Sequence, residues 1–309
     1  MKPDRVISSV LSLALGDAFG APYEGGVLER ATWMLVGKRN GKRRWTDDTQ
    51  MTIDVIESLV ACGRVDQDDL ARRFSKSYRW SRGYGPGAAR VLRRIRRGHS
   101  WQAASCSVYR DGSFGNGGAM RAPAIGLFYS VDNEDELAEA ASRSAAVTHA
   151  HRFGREGAVL IAVATALAHD NTSAPEIMAR LCQRSESPEF LNRLRTASEW
   201  LQGDRTVTPR EVAAELGNGI AAVESCVTAV YVALSFRNRT FDELLEYAIR
   251  IRGDVDTIAS MACAIWGAAR GLDALPARRL EQLEKCDRLR ALARFLAEAA
   301  RNRQTSGAT

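Results

Sequence analysis

The residues predict an all-α fold in a single domain, on three observations. Apolar positions recur at helical spacing over most of the 309 residues. No stretch alternates apolar and polar residues for a useful strand length. No Pro-, Gly- or Ser-rich linker divides the chain, and the gaps between helical segments are short. With 45% hydrophobic and 26% charged residues, the composition is that of a globular chain with a substantial core.

Ile7, Val10, Leu11, Ala14 and Leu15 line one side of the first helix, which should end between Gly20 and Pro22. Its basic start and apolar body resemble a secretory signal only superficially, since Asp17 and Glu24 follow at once without a cleavage pattern. No run is expected to supply the roughly 18 apolar residues of a membrane helix, and the expected location is the cytoplasm. A second stripe, Ile53, Ile56, Leu59 and Val60, marks a helix over 49–61. GYGPG at 83–87 then interrupts the chain before a short helix over 88–97, and DGSFGNGG at 111–118 is too glycine-rich for anything but a loop. Further helices are expected at 134–148, 154–169, 189–201, 210–216, 219–235, 241–250, 256–270 and 280–300. Residues 1–300 therefore read as the domain and 301–309 as a loose polar tail.

The net charge of +6 favours anionic partners weakly, and its densest source lies at 79–101. Such a run is ordinarily a solvated helix face. A nucleic-acid partner is not expected, because no reading motif accompanies it. The remaining option is a surface that attracts a phosphorylated ligand or an acidic partner. Six cysteines lie scattered without a CxxC pair, and several (Cys62, Cys226, Cys263) fall in apolar helical segments, as buried thiols do.

Two acidic clusters carry the chemistry. In RRWTDDTQMT, Thr46, Asp47 and Asp48 stand just before the second helix; in RGDVDT, Asp254, Asp256 and Thr257 open the helix at 256–270. Capping and the helix dipole explain one residue of each cluster and leave the others. Four carboxylates at two helix starts would, on convergence, require a compensating cation. Carboxylates flanked by threonine hydroxyls are the oxygen donors that hard divalent ions take.

GDAFGAPYE (16–24), WTDDTQMT (45–52), RGYGPG (82–87), FGNGGAMR (114–121), THAHRFG (148–154) and RGDVDTIASMACAIWGA (252–268) together resemble the ordered blocks of ADP-ribosylglycohydrolases. The resemblance implies a compact orthogonal bundle of helices holding two divalent cations, Mg2+ first and Mn2+ as the other option. Thr46, Asp47 and Asp48 match its first metal-binding block, and Asp254, Asp256 and Thr257 its second. Glu24 matches the acidic residue that closes the first block, near the metals and the scissile bond. Gly115, Asn116 and Gly117, extended by Gly118, match the loop that cradles the ADP-ribose phosphates; glycines let backbone amides approach an anion. His149 matches a histidine that contacts the nucleotide. Its spacing to His151 suggests zinc, but a third ligand is lacking. Tyr84 and Gly85 match a segment near the distal ribose and adenine. Arg121, Asp17 and Ser144 read as structural polar residues.

The activity implied is hydrolysis at C1 of the ribose next to a modified side chain, releasing ADP-ribose. The two cations orient the ribose hydroxyls, and an activated water attacks under carboxylate stabilisation of an oxocarbenium-like transition state. Glu24 is expected to gate or to act as acid or base, while Asp254 or Asp256 activates water. Among linkages, arginine is expected ahead of serine or another oxygen. The alternatives are a non-catalytic ADP-ribose-binding protein, a silent relative and a two-metal phosphohydrolase. ADP-ribose or ADP-ribosylated protein is the expected partner, and the chain is expected to be a monomer.

Overall fold

Eighteen residues, Pro3–Gly20, form α1, with Pro3 at the first helical position, where its missing N–H has no partner to lose. The computed structural model describes every residue except 1, 27–29, 31, 32, 34, 204 and 307–309. A two-residue hairpin follows, β1 (Lys38–Arg39) and β2 (Lys42–Arg43), paired antiparallel as Lys38↔Arg43 and Arg39↔Lys42. Asn40 and Gly41 turn it with φ of 52° and 75°, the left-handed pair that a tight hairpin turn requires. This strand pair was not expected; it is too short to alternate, and its Asn-Gly turn is the only local sign.

The helices then run α2 (Asp47–Cys62), α3 (Gln67–Ser77), α4 (Pro86–Arg96), α5 (Trp101–Ser105), α6 (Pro123–Phe128), α7 (Glu134–Ala146), α8 (Arg152–His169) and α9 (Ala174–Arg184). They continue as α10 (Pro188–Gln202), α11 (Pro209–Glu215), α12 (Ala222–Ser235), α13 (Phe241–Ile251), α14 (Val255–Arg270), α15 (Ala277–Gln282) and α16 (Cys286–Ser306). The all-α expectation stands. Of these helices among the described residues, α3, α5, α6 and α9 lie where none was expected. The single helix expected at 280–300 is two, because the chain turns at Lys285, whose φ is 47°. The expected tail is also corrected. Through Ser306 the chain continues α16, and Arg303 holds it down by an ion pair to Glu136 and a hydrogen bond to the Gly63 carbonyl. The rest of that tail, 307–309, lies outside the described residues.

At the centre, α1 and α14 pack along one another. α8 and α12 flank α14, α6 and α7 cover α8, and α16 lies across α1 and α2. Small residues make the central crossing close. Ser9 Oγ donates to the Ala264 carbonyl at 2.7 Å, and a Cβ on Gly16 would lie 2.7 Å from the Ala259 carbonyl carbon. Contrary to expectation, the segment Pro3–Tyr23 is long and apolar enough to span a membrane, with a mean hydropathy of 1.3. In this fold 89% of that window is buried inside the protein, as befits a central core helix. All six cysteines are unpaired; Cys226 and Cys263 are buried as expected, whereas Cys62 is only part-buried at the end of α2.

Candidate metal and nucleotide site

The last turn of α1 organises the site. Asp17 falls on the apolar stripe of that helix, seven residues after Val10, and is completely buried. Its carboxylate accepts the Thr46 amide at 2.8 Å, the Thr49 amide at 3.0 Å and the Thr49 hydroxyl at 2.5 Å. Burial raises its pKa to about 6 against the opposing pull of those donors. Asp17 is thus a structural polar residue that clamps the start of α2. A carboxylate on an apolar stripe, which must find buried donors, was the available sign.

Thr46 is the N-cap of α2, and its hydroxyl accepts the Asp48 amide at 3.3 Å. Asp47 and Asp48 occupy the first turn without capping it, which leaves their carboxylates for another purpose. Asp48 is buried, and its Oδ2 has no hydrogen-bond partner among the described residues.

The second block approaches α1 through its glycines. A Cβ on Gly20 would lie 2.8 Å from Asp256 Cα, so only glycine lets α14 begin there. The preceding Arg252 and Gly253 have φ of 65° and 76°. Gly253 packs on Asn218, where a Cβ would lie 2.8 Å from Asn218 Cγ. The Asn218 carbonyl accepts the Asp254 amide at 2.9 Å, while its side chain donates to the Ile251 carbonyl at 3.1 Å. Asn218 therefore holds the strained entry to α14. Asp254 also receives Asn116 Nδ2 at 2.5 Å, and Asn116 Nδ2 reaches Ser225 Oγ at 3.0 Å. The side chain of Asn116, expected in a phosphate loop, thus orients a carboxylate of the acidic cluster.

The two blocks converge. One carboxylate oxygen from each of Glu24, Asp254 and Asp256 lies within 4.8 Å of the others. Asp47, Asp48 and Asp256 are pushed well above the usual carboxylate range, by burial first and then by their acidic neighbours. Those neighbours include Asp254 and Glu24 for both first-block aspartates, and Asp48 for Asp256, so each block sits in the other's field. Asp254 is raised by burial and partly relieved by Asn116. Buried carboxylates in mutual repulsion, with the orphaned Asp48 oxygen among them, fit a hard divalent cation held by oxygen ligands. The carboxylates that lie close enough to share an ion are Glu24, Asp254 and Asp256, with Thr46, Asp47, Asp48 and Thr257 at the two helix starts.

The glycine loop lies beside the cluster. Asn116–Gly118 form a 3-10 turn, tied to the start of α12 by the Asn116 amide on the Ile220 carbonyl at 2.9 Å and the Ala222 amide on the Phe114 carbonyl at 3.0 Å. His149 packs against this loop. A Cβ on Gly117 would lie 2.8 Å from His149 Nε2, and one on Gly115 would lie 3.5 Å from it. Burial, aided by the charge of Arg121, lowers the His149 pKa to about 3, so the ring is neutral at ordinary pH. His151 serves elsewhere: its Nδ1 caps α8 by accepting the Phe153 amide at 3.2 Å, and its ring stacks edge-on with Phe114. Tyr84 is a core residue packed on Tyr78 at a centroid distance of 4.9 Å, its phenol pKa raised by burial and by nearby Asp47. Gly85 caps α4, and it is Gly83 that faces Asp47, whose Oδ1 would lie 3.7 Å from an added Cβ.

The family model for ADP-ribosylglycohydrolase matches residues 1–306. ADP-ribosylhydrolase ARH3 of Bos taurus is 36% identical over 309 aligned positions, covering 85% of this chain and 84% of its own length. The Homo sapiens protein of that name is 35% identical over 75% of this chain and 72% of its own. A solved ADP-ribosylglycohydrolase-related protein complex chain superposes with a TM-score of 0.72 at 25% identity, covering 96% of this chain and 98% of its own. The chain belongs to the ADP-ribosylglycohydrolase family and is an enzyme that hydrolyses ADP-ribose linkages.

Proposed function

We propose that the enzyme is a cation-dependent hydrolase that cleaves the bond between ADP-ribose and a protein side chain. The observation that carries this reading is the acidic cluster of Glu24, Asp254 and Asp256, in the field of Asp47 and Asp48 and next to a glycine loop. Two divalent cations, Mg2+ first and Mn2+ as the other option, would be held by Thr46, Asp47, Asp48, Asp254, Asp256 and Thr257. When bound, such cations lower the pKa of water and orient oxygen ligands. The chain's own part is to bind and orient. The loop at Gly115–Gly118 and His149 receive the diphosphate, with Tyr84 and Gly85 on the side of the distal ribose and adenine. Asn116 and Asn218 hold Asp254 in place. Glu24, on the part-buried edge of the cluster, faces the bond to be cleaved and moves the proton, with Asp254 or Asp256 as the base toward water.

Arginine is the linkage expected from the sequence. A second reading is an oxygen linkage such as serine. Matched arginine- and serine-ADP-ribosylated peptides, assayed with Mg2+, Mn2+ or EDTA, decide between them. Free ADP-ribose from one peptide, abolished by EDTA and by Asp254→Ala, is the expected outcome. Release of AMP, or turnover indifferent to EDTA, would sink the proposal. As the sequence leads us to expect, we propose that the enzyme acts in the cytoplasm as a monomer.

A further inference from the structure

Arg121 lies wholly inside the protein, its guanidinium 4.7 Å from the centroid of the Phe74 ring. It donates to the Gly117 carbonyl, to the Ser144 carbonyl at 2.9 Å and to Thr148 Oγ1 at 3.0 Å. A guanidinium has no acceptor, so the Thr148 oxygen must accept from it and still has its own proton to place. The neighbour in reach is His149 Nδ1, at 2.8 Å. Thr148 is 1% exposed, so a hydroxyl proton aimed away from Nδ1 would be buried without a partner. The Thr148 hydroxyl therefore donates to a bare Nδ1, and the ring proton of the neutral imidazole sits on Nε2. In the reverse arrangement Nδ1–H and Arg121 would both donate to Oγ1, stranding the hydroxyl proton and turning a lone pair toward the glycine loop.

We propose that Arg121 and Thr148 are positioning residues that fix His149 as its Nε2–H tautomer and aim an uncharged N–H donor at the diphosphate of ADP-ribose. The diphosphate part rests on the reading of the site given above. Arg121 also holds the Gly117 carbonyl, so one side chain sets both the histidine and the loop it faces. A lone pair at Nε2 would repel the anion, whereas an N–H attracts it without a further buried charge beside the guanidinium.

The test is long-range 1H–15N correlation spectroscopy on 15N-histidine-labelled full-length protein, with His149→Gln assigning the signal among the four histidines. Calorimetry with ADP-ribose runs alongside. Wild type should show a protonated Nε2 and a bare Nδ1 before any ligand is added. Thr148→Val should lose that single tautomer and bind ADP-ribose about tenfold more weakly, while Thr148→Ser restores both. A protonated Nδ1 in wild type, or a Thr148→Val spectrum with the tautomer unchanged, would overturn the proposal. Wild type that shows the expected tautomer but does not bind ADP-ribose upholds the lock and overturns the nucleotide reading instead. Because Arg121 is a core residue whose loss endangers folding, the Val and Ser pair at Thr148 carries the decision.

Discussion

Buried carboxylates in this protein fall into two groups with different partners. Asp17 collects three donors and clamps a helix start, whereas Asp54, mid-way along α2, has among the described residues only the Ser77 hydroxyl and a Gln50 amide at 3.4 Å. Burial raises the Asp54 pKa to about 7, against the lowering effect of those two hydrogen bonds. The sign of the consequence follows from linkage. The folded state holds the Asp54 proton more tightly than the unfolded state, so this stabilisation is complete below the ordinary value of 3.8 and is lost as pH rises through about 7. Asp54→Asn should therefore melt above wild type at pH 8 by several degrees, on the order of 1–2 kcal/mol at about 2–4 °C each, and converge with it near pH 4. Equal melting temperatures at pH 8 would show that Asp54 is charged at little cost. Residue types at the site were readable in advance because aspartates and threonines at helix starts have few other uses in such number. The work of Asp17, Asn116 and Asn218 was not, since each depends on which distant backbone it meets.

At the scale of elements, long helices with full apolar stripes were legible and short ones were not. α9 buries only Ile177, Met178 and Leu181, and α3 only Leu70, Ala71, Phe74 and Ser75, too few positions to establish a period. Their start signals were nonetheless present, as Asp66 and Ser173 caps whose oxygens accept the Asp69 and Glu176 amides at 2.9 and 3.4 Å. The break before α16 was hidden because leucines continue through it. The most consequential element contact is the crossing of α1 with the start of α14. Gly20→Ala places a methyl 2.8 Å from Asp256 Cα, where backbone and not a flexible side chain must yield. We expect a loss of about 1–3 kcal/mol in unfolding free energy. Hydrolysis should fall further than stability accounts for, because Asp256 moves with the displaced helix. The check is kcat at a temperature where the variant is fully folded. Normal turnover by a folded Gly20→Ala would contradict the role given to this crossing.

For the whole molecule, the acidic cluster sets fold stability against cation binding. Without a cation the buried carboxylates repel one another; a bound divalent ion reverses that balance and stabilises the folded state by mass action, by about 2.7 kcal/mol at a hundredfold excess over Kd. Mg2+ or Mn2+ should thus raise the melting temperature of EDTA-treated protein by several degrees. Asp256→Asn should melt higher than wild type in EDTA, since one repelling charge is gone, and should lose most of the cation response together with activity. Differential scanning calorimetry reads the melting shifts and an ADP-ribose release assay the activity, and a wild-type transition indifferent to both cations would remove the basis for a metal site. The need for a cation on convergence was legible in the two motifs, but the convergence itself was not, because they stand some 200 residues apart and meet through the packing of α1 with α14.

That packing also orders events during synthesis. The helix that anchors both halves of the site leaves the ribosome well before its main partner, Val255–Arg270. A nascent chain thus carries Asp47 and Asp48 without the other half of their cage until Asp254 and Asp256 have been made. At any typical pace of elongation this leaves α1 an unsheltered apolar rod for about 10 seconds or more. The same hydrophobicity that makes it a good core helix makes it a natural client for whatever holds emerging chains apart, and truncation anywhere before residue 255 should leave an aggregation-prone product rather than a weaker enzyme.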